Sequence, residues 1–326
     1  SEAVAGADAL KTVNNAQSVA WVINPKILEI ANQLVAAEKS LGKLIVPNKK
    51  MTATQRIDAV RKGGAQLRTL DVANQFAEAE AFFMPHFMDG RGRIYQQNSV
   101  LTVQTSDFGK ALLLFKDAAP VTDEAKKWLA LQVANTYGNK VDKMPITQKL
   151  GWVKAHKALI SKVVQKTMTA INAWIKGTDT CPDEPWQFMA ACFEYHAVVI
   201  AKSKETTNLP VAADATCSGV QVISALLKDE KAAALVNIIP STEGPADLYT
   251  ACAEKAPQFI DEVIANFKKE ETREALTPAH VATIKKLISG KGARKLAKPV
   301  VMTPLPTRLL RNRRSLRFKQ LLLTWE

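Results

Sequence analysis

Cysteine is scarce in this sequence of 326 residues, which contains four cysteines scattered along the chain. Their spacing has neither the C-x-x-C pattern of a zinc site nor the pattern of a disulfide framework, so we expect reduced thiols in a cytosol. The four histidines also lack the spacing of metal ligands, and we interpret them as structural. Long apolar runs are missing, which argues against a membrane span. The first residues lack the basic and apolar regions of a secretory signal.

Acidic residues are in the minority. Lys and Arg number 44 and Asp and Glu number 31, which gives a formal net charge of +13 at pH 7. Such a charge predicts a polyanionic partner, with nucleic acid ahead of an anionic membrane surface. No lipidation motif or basic amphipathic helix supports a membrane partner. Part of the excess positive charge lies in residues 307–326, which hold six Lys or Arg and one Glu.

The apolar residues follow mostly helical patterns. Hydrophobic residues make up 47% of the chain, which is enough to form a sizeable core. Helix-start signals stand at Asn24, Thr122, Asp183, Pro245 and Thr277. Extended segments are predicted within residues 81–117 and 205–214. A mainly helical chain with a small group of strands predicts an α+β fold.

Residues 208–229, NLPVAADATCSGVQVISALLKD, predict a short buried strand, Leu209–Ala213, followed by a turn and a helix. Asp214 ends the strand, and Ser218 and Gln221 have the three-residue spacing of a helix capping box. A carboxylate at the end of a strand, beside an exposed turn, is well placed to hold Mg²⁺. An Asp that only hydrogen-bonds its own turn fits the same pattern, so both interpretations are open at this point.

A basic motif precedes this stretch, in residues 84–95, MPHFMDGRGRIY. Arg91 and Arg93 can straddle a sugar–phosphate backbone, while Gly92 lets the main chain come close to it. The alternative is an arginine-rich surface turn held by salt bridges.

A second basic motif follows, in residues 291–303, KGARKLAKPVVMT. Arg294 and Lys298 stand four residues apart, so they project from one face of a helix. Two cations at this spacing can follow the triphosphate of a nucleotide, and a solvated cationic helix face is the alternative. The GKGARK stretch is not a P-loop, because its glycine spacing is wrong and no Ser or Thr follows the Lys.

Together the three motifs, in this order, resemble the single-subunit RNA polymerases of bacteriophage and mitochondrial type. The matching residues are Asp89, Arg91, Gly92 and Arg93, then Asp214, Cys217, Ser218, Gly219 and Gln221, and finally Arg294, Lys298, Val301, Met302 and Thr303. The resemblance implies a DNA-directed RNA polymerase, a nucleotidyltransferase that adds ribonucleoside monophosphates to an RNA 3′ end by a two-metal mechanism. Its implied partners are a DNA template, the RNA product and ribonucleoside triphosphates, and its implied cofactor is Mg²⁺.

The resemblance also implies a mostly helical right-hand fold with a small palm sheet. The expected regions are the thumb and thumb–palm junction (1–80), the palm (81–117), a helical palm insertion (118–204), a palm strand and helix with the catalytic Asp (205–231), partial fingers (232–303) and an aberrant basic tail (304–326).

The resemblance also implies roles for individual residues of this sequence. Asp214 matches the aspartate that binds metal, and Lys298 matches a catalytic lysine that also binds the nucleotide. The other implied nucleotide-binding residues are Arg294, Lys143 and Tyr249. The implied nucleic-acid-binding residues are Arg91, Arg93 and Lys110.

After Thr303 the resemblance stops, and Pro306 stands where the family has a tyrosine. The family segment with the second catalytic aspartate is also missing. We therefore interpret the chain as a truncated or split central portion with an out-of-frame tail, inactive alone, to which a second polypeptide could supply the missing segment. We expect it in the cytoplasm, that of the host cell if it comes from a phage, and a mitochondrial location stays open.

Two alternatives remain. One is a DNA polymerase of the same right-hand superfamily, against which the Cys-Ser-Gly after Asp214 and the Arg-Gly-Arg motif argue. The other is a non-catalytic nucleic-acid-binding remnant or a subunit of a split polymerase.

Overall fold

The structure, a computed structural model, describes residues 6–90, 92–212, 215–239, 245–252 and 254. The chain divides into two compact units, residues 1–213 and residues 214–326. The names thumb, palm and fingers stay predictions for the regions to which the resemblance assigns them.

The first unit is mostly helical. Its α-helices are α1 (Ala7–Gln17), α2 (Pro25–Ala36), α3 (Ala53–Gln75), α4 (Asp107–Ala111), α5 (Asp123–Tyr137), α6 (Ile146–Ala155), α7 (Lys157–Gln165), α8 (Thr167–Lys176) and α9 (Pro185–Tyr195). A 3-10 turn, Val141–Lys143, precedes α6, and a π-helical turn, His196–Ile200, follows α9. The strands are β1 (Ala20–Ile23), β2 (Phe82–Phe83), β3 (His86–Met88), β4 (Ile94–Gln96), β5 (Leu113–Phe115), β6 (Ala119–Pro120) and β7 (Thr206–Thr207). The predicted α+β class is confirmed.

Strand β1 lies at the centre of a three-stranded antiparallel sheet, between β2 and β5. Ala20 stands opposite Phe83, and Val22 stands opposite Leu114. The pairs β3–β4 and β6–β7 form separate antiparallel ribbons. The strands predicted between residues 81 and 117 are therefore present, but they belong to different sheets and the short helix α4 interrupts them.

The connection from β1 to α2 turns sharply at Asn24. The Asn24 side chain accepts a hydrogen bond from Ile27 N–H (3.4 Å), and its backbone N–H donates to Leu112 O (2.8 Å). Asn is a favoured N-cap, and Pro25 has the fixed φ that suits the first helical position. The predicted helix start at Asn24 is confirmed.

Helix α9 lies at the centre of the first unit, and nine of its eleven residues are buried. A helix that is apolar on every side must be enclosed by other elements, and α9 packs against α2, α4, α5 and α7. Trp186 and Phe188 are fully buried, and the Trp186 ring meets Phe108 edge-on with centroids 4.7 Å apart. These contacts join the first unit into one apolar core.

The N-terminus of α9 is capped from a distance by Asp107, the first residue of α4. Its carboxylate oxygens accept hydrogen bonds from the backbone N–H groups of Trp186 (3.0 Å) and Gln187 (2.9 Å). Burial raises the pKa of the Asp107 carboxyl, and the bonds from Gln187 and Trp186 oppose that rise. The predicted helix is confirmed, but it begins at Pro185 and its cap comes from another element.

Helix α5 has both of its predicted ends. The Thr122 hydroxyl accepts a hydrogen bond from Ala125 N–H (3.1 Å), and the helix ends at Gly138, whose φ is +65°. A Cβ at Gly138 would collide with the carboxylate of Asp183. That carboxylate accepts a bond from Asn139 N–H (2.9 Å), so it ties the end of α5 to the start of the α9 segment.

The second unit contains α10 (Ser218–Leu227) and α11 (Glu230–Leu235), and residues 248–252 are helical. The predicted helix after Asp214 is therefore present, but the predicted capping box is wrong. Cys217, with φ +55°, is the residue before the helix, and Ser218 is already helical. Gln221 Nε2 donates instead to Val236 O (2.8 Å), which ties the first turn of α10 to the end of α11.

The predicted strand Leu209–Ala213 is wrong over residues 209–212, while residues 213 and 214 lie outside the described part. The ladder ends earlier, where Thr206–Thr207 pairs with β6. Beyond it, the backbone O of Asn208 accepts a hydrogen bond from Phe115 N–H (3.0 Å), and the side-chain amide of Asn208 donates to Phe115 O (2.9 Å). Pro210 has no N–H with which to continue such a ladder.

The helix expected at Pro245 begins three residues later. Leu248 is its first residue, and Asp247 caps it by accepting bonds from Tyr249 N–H (3.1 Å) and Thr250 N–H (3.2 Å). The helix expected at Thr277 lies outside the described residues. Within the described part of the chain, no helix has the length and apolar character needed to cross a membrane.

Candidate nucleic-acid interface

The arginine motif lies in the loop of the β3–β4 hairpin, and Asp89 closes that loop. Asp89 N–H donates to Arg93 O (2.9 Å), and Gly92 N–H donates to Asp89 O (2.9 Å). The Asp89 carboxylate accepts a further bond from Arg93 N–H (2.9 Å). The backbone at Arg93 is therefore held from both sides of the loop, and its exposed side chain starts from a fixed point.

Glycine is required in this loop at one position. Gly92 has φ +80°, in the left-handed region that favours glycine, whereas Gly90 does not have a positive φ. A Cβ added at either position would meet no atom within 4 Å. The loop is thus open to a ligand on that side.

The hairpin has two faces, because side chains alternate along each strand. Gln96 is buried on one face. On the other face Phe87 and Tyr95 stand opposite each other, with stacked rings 5.6 Å apart. Phe87 is 44% exposed, and Arg93 precedes Tyr95 by two residues and so shares this face.

The aromatic pair was missed by our sequence reasoning, which considered only the arginines. A partly exposed aromatic pair beside a guanidinium offers a stacking surface for bases and a contact for phosphate. The signal in the sequence was the position of the two rings, with Phe87 two residues before Asp89 and Tyr95 two residues after Arg93.

Lys110 lies half-buried in the last turn of α4, near the start of α9. Burial raises the pKa of the Asp107 and Glu184 carboxyls, and the positive charge of Lys110 acts against that rise at both. Lys110 therefore helps to balance buried negative charge, in addition to the nucleic-acid contact that remains a prediction.

Lys143 lies exposed at the end of the 3-10 turn and forms an ion pair with Asp142 (2.8 Å). An exposed ion pair contributes only about 0–1 kcal/mol, so a phosphate could take the place of the Asp142 carboxylate. Asp142 also raises the pKa of Glu184, as a minor effect after burial. Glu184, the residue before α9, is therefore under the electrostatic influence of both Lys110 and Asp142, the ion-pair partner of Lys143.

Tyr249 lies in the second unit, two residues after the capping residue Asp247. Asn237 ties this helix start to the turn that follows Asp214. Its side-chain amide donates to Thr216 Oγ1 (3.0 Å) and to Ala246 O (3.0 Å), and its carbonyl accepts from Ala246 N–H (2.7 Å). Asn237 was not among the predicted site residues, because no local pattern indicates bonds to segments 21 and 9 residues away.

Four predicted site residues lie outside the described residues, namely Arg91, Asp214, Arg294 and Lys298. Their positions relative to Arg93, Lys110, Lys143 and Tyr249 stay predictions. Among the described residues, no three His, Cys, Asp or Glu side chains come together as a metal site.

The fold and this interface define a class: a helix-rich α+β protein with an arginine loop and exposed aromatic rings suited to nucleic acid. Residues 119–305 match the sequence model of the DNA-dependent RNA polymerase family. The chain belongs to this family.

Individual relatives extend the match beyond those residues. The DNA-directed RNA polymerase of Enterobacteria phage T3 is 31% identical over 281 residues, which are 78% of this chain and 31% of the relative. T7 RNA polymerase of Escherichia phage T7 is 31% identical over 275 residues, 77% of this chain and 30% of the relative. DNA-directed RNA polymerase 2, chloroplastic/mitochondrial, of Nicotiana sylvestris is 27% identical over 322 residues, 91% of this chain and 30% of the relative. The chain spans about a third of the length of these relatives. The predicted resemblance to phage and organellar RNA polymerases is confirmed.

Proposed function

We propose that this chain is part of a DNA-directed RNA polymerase, which transfers ribonucleoside monophosphates to an RNA 3′ end on a DNA template. The observation that carries the proposal is the match of residues 119–305 to the polymerase family. The closed arginine loop supports it from outside that range, because it presents Arg93 on an exposed face with two aromatic rings.

The β3–β4 hairpin is proposed to hold the template and the growing RNA. Arg91 and Arg93 contact the sugar–phosphate backbone, and Lys110 adds a cation from α4. Such contacts position a nucleic acid without reading its sequence. Phe87 and Tyr95 are placed to stack against a base next to the backbone contact.

The resemblance assigns Arg294, Lys298, Lys143 and Tyr249 to the incoming ribonucleoside triphosphate. Arg294 and Lys298 stand four residues apart in the sequence, a spacing that suits two cations that bind its phosphates. Lys143 is proposed to bind a phosphate in place of its Asp142 partner. Tyr249 borders the nucleotide from a helix start that Asp247 and Asn237 hold in place.

Asp214 is proposed to help hold two Mg²⁺ ions, of which one would activate the 3′ hydroxyl and the other would neutralise the leaving pyrophosphate. Asp214 lies outside the described residues, so the proposal rests on its place in the family motif. The second polypeptide that could supply the other aspartate, and the location in a host cytoplasm or a mitochondrion, stay predictions.

Binding of a template–RNA hybrid tests the proposed role of the hairpin. Arg93→Ala should weaken binding of a fluorescent hybrid about tenfold at low salt, because one charged backbone contact to phosphate, worth about 1.5–3 kcal/mol, is lost. The matched control is Arg61→Ala, which removes an exposed arginine already paired with Asp58 at 2.7 Å. Equal affinity of the Arg93→Ala and Arg61→Ala variants would contradict the assignment of the hairpin.

Nucleotide incorporation tests the proposed role of Asp214. In an active enzyme that contains this chain, Asp214→Asn keeps the side-chain shape but removes the charge, so activity should fall by several orders of magnitude while hybrid binding persists. Primer extension with ribonucleotides, and in parallel with deoxyribonucleotides, measures this and separates the RNA from the DNA polymerase. Turnover close to that of the unchanged enzyme would rule out the metal-binding role.

A further inference from the structure

Positive charge is concentrated in one part of the first unit, from which the sites proposed above use only Lys143. Residues 138–177, which run from the end of α5 through α6, α7 and α8, contain eight Lys, no Arg and a single acidic residue, Asp142. Their net charge of +7 is more than half of the +13 of the whole chain. These 40 residues are therefore far more basic than the rest of the described protein.

The lysines of this segment are mostly exposed and unpaired. Lys143 pairs with Asp142 (2.8 Å), and Lys162 pairs with Asp179 (3.1 Å). Lys149 is half-buried and donates to Asn135. The other five form no ion pair with a carboxylate of the described residues, and all are exposed: Lys140, Lys154, Lys157, Lys166 and Lys176. We name these five the lysine patch.

Packing holds the backbone of the lysine patch in place. Each of the three helices buries apolar residues on the side away from solvent. Examples are Val153 of α6, Ile160 of α7 and Trp174 of α8. Helix α6 packs against α5 and α7, and α7 packs against α8 and α9. A helix of ten residues is about 15 Å long, so Lys166 and Lys176, at the two ends of α8, lie about that far apart.

The chemistry of the patch favours a regular polyanion. A Lys ammonium is a compact charge that does not form the bidentate pairs by which Arg reads carboxylates or bases. Double-stranded DNA carries about one negative charge per 1.7 Å of its axis, which offers several phosphates to cations spread over about 15 Å. Such a surface binds the duplex without reading its sequence.

We propose that the lysine patch is a second nucleic-acid-binding surface, which holds the phosphate backbone of double-stranded DNA apart from the arginine hairpin. The choice of DNA among polyanions rests on the proposed function. Asp123 and Glu124, the acidic residues at the start of neighbouring α5, do not cancel the patch, because Lys126 and Lys127 pair with them.

The test measures binding of the full 326-residue chain to a blunt DNA duplex at about 50 to 200 mM salt. The patch variant carries Lys154→Gln, Lys157→Gln and Lys166→Gln. The control carries Lys49→Gln, Lys62→Gln and Lys116→Gln, which removes the same charge from lysines that are already paired and lie outside α5 to α8. Each phosphate contact contributes about 0.9 to the slope of log affinity against log salt, so the patch variant should lower the slope by about 2.7. Over this fourfold salt range that difference is about 40-fold in affinity.

The outcomes decide the proposal. A slope lowered by two or more relative to the control, and restored in the variant with Arg at the same three positions, supports it. The proposal is overturned if the patch variant changes the slope by less than two, or if the control changes it equally. It is also overturned if the patch variant loses binding to anionic phospholipid vesicles while its DNA slope is unchanged. The Arg93→Ala comparison on the template–RNA hybrid is independent, so failure of the proposed polymerase function and failure of the patch give different results.

Discussion

At the residue scale, the arginine loop depends on a glycine that the sequence motif contains and the backbone requires. Gly92 has φ +80°, and an L residue in the left-handed region costs about 1–2 kcal/mol. Gly92→Ala should therefore lower the free energy of unfolding by about 1 kcal/mol and weaken hybrid binding, because the Asp89–Arg93 closure is strained. Urea unfolding and hybrid titration measure the two effects.

The neighbouring glycine provides the control. Gly90 lacks a positive φ and has open space where a Cβ would be. Gly90→Ala should leave both stability and binding nearly unchanged. If the two variants behave alike, the conformation of Gly92 is not what holds the loop.

Residues that act within their own segment could be predicted from the sequence. Asn24 and Thr122 cap the helices that follow them, as their positions before apolar-periodic stretches indicated. Asp107 and Asn237 could not be predicted in this way, because their partners lie in distant segments. Local patterns show which side chains can cap, and the tertiary fold decides what they cap.

At the element scale, the start of α9 is stabilised by the carboxylate of another helix. Asp107→Ala removes the acceptor for two N–H groups at the helix start, those of Trp186 and Gln187. Leaving buried donors without partners costs about 1–3 kcal/mol. The variant should therefore lose about that much unfolding free energy at neutral pH, as measured by urea titration.

The same carboxyl gives a testable pH dependence. Because burial raises the folded-state pKa of Asp107, protonation of this carboxyl stabilises the folded state, and this proton-linked contribution is fully present below the ordinary pKa of Asp, about 4. That contribution is lost as pH rises through the folded-state pKa. Asp107→Asn stays uncharged, so the difference in stability between this variant and the unchanged chain should vary with pH above about 4. A difference that is constant between pH 4 and pH 7 would contradict the assigned shift.

Elements were predicted well where periodicity extended over several turns. Helices α2 and α5 begin at their predicted N-caps, Asn24 and Thr122, and α5 ends at the predicted Gly138. The strand over 209–212 failed, because an apolar run of four residues with a Pro inside it does not determine pairing. The capping box failed because Cys217 takes the left-handed conformation and shifts the helix start by one residue.

At the scale of the whole molecule, the apolar core of the first unit predicts cooperative unfolding. Trp186 is fully buried, and its indole N–H donates to Leu41 O (3.2 Å). Trp186→Phe leaves a cavity and an unsatisfied carbonyl, which together cost about 2–3 kcal/mol. The urea midpoint should fall without a change in the slope of the transition, by circular dichroism.

Trp128 allows a matched comparison, since its side chain is 46% exposed. Trp128→Phe should change stability by less than about 0.5 kcal/mol. A similar loss in both variants would show that burial at the start of α9 is not what stabilises the core.

The family could be predicted from three short motifs, and the comparisons confirm it. The arrangement of the site could be predicted only in part, because motifs specify residue types but not the surfaces around them. The stacked rings of Phe87 and Tyr95 depend on the register of a hairpin. The excess of lysines on α6 to α8 was overlooked because the net charge was attributed to the whole chain and to its last twenty residues.

The hydrogen bond from Trp186 to Leu41 also joins two residues that are synthesised at different times. Its two residues are 145 positions apart, and a ribosome adding about 5–20 residues per second needs about 7 to 30 s to cover that distance. In the later part of this interval Leu41 and Phe108 have both emerged but α9 has not, so the apolar surface that α9 later covers is open to water. A nascent chain in this condition is a substrate for chaperones and prone to aggregate until residues 185–195 leave the ribosome.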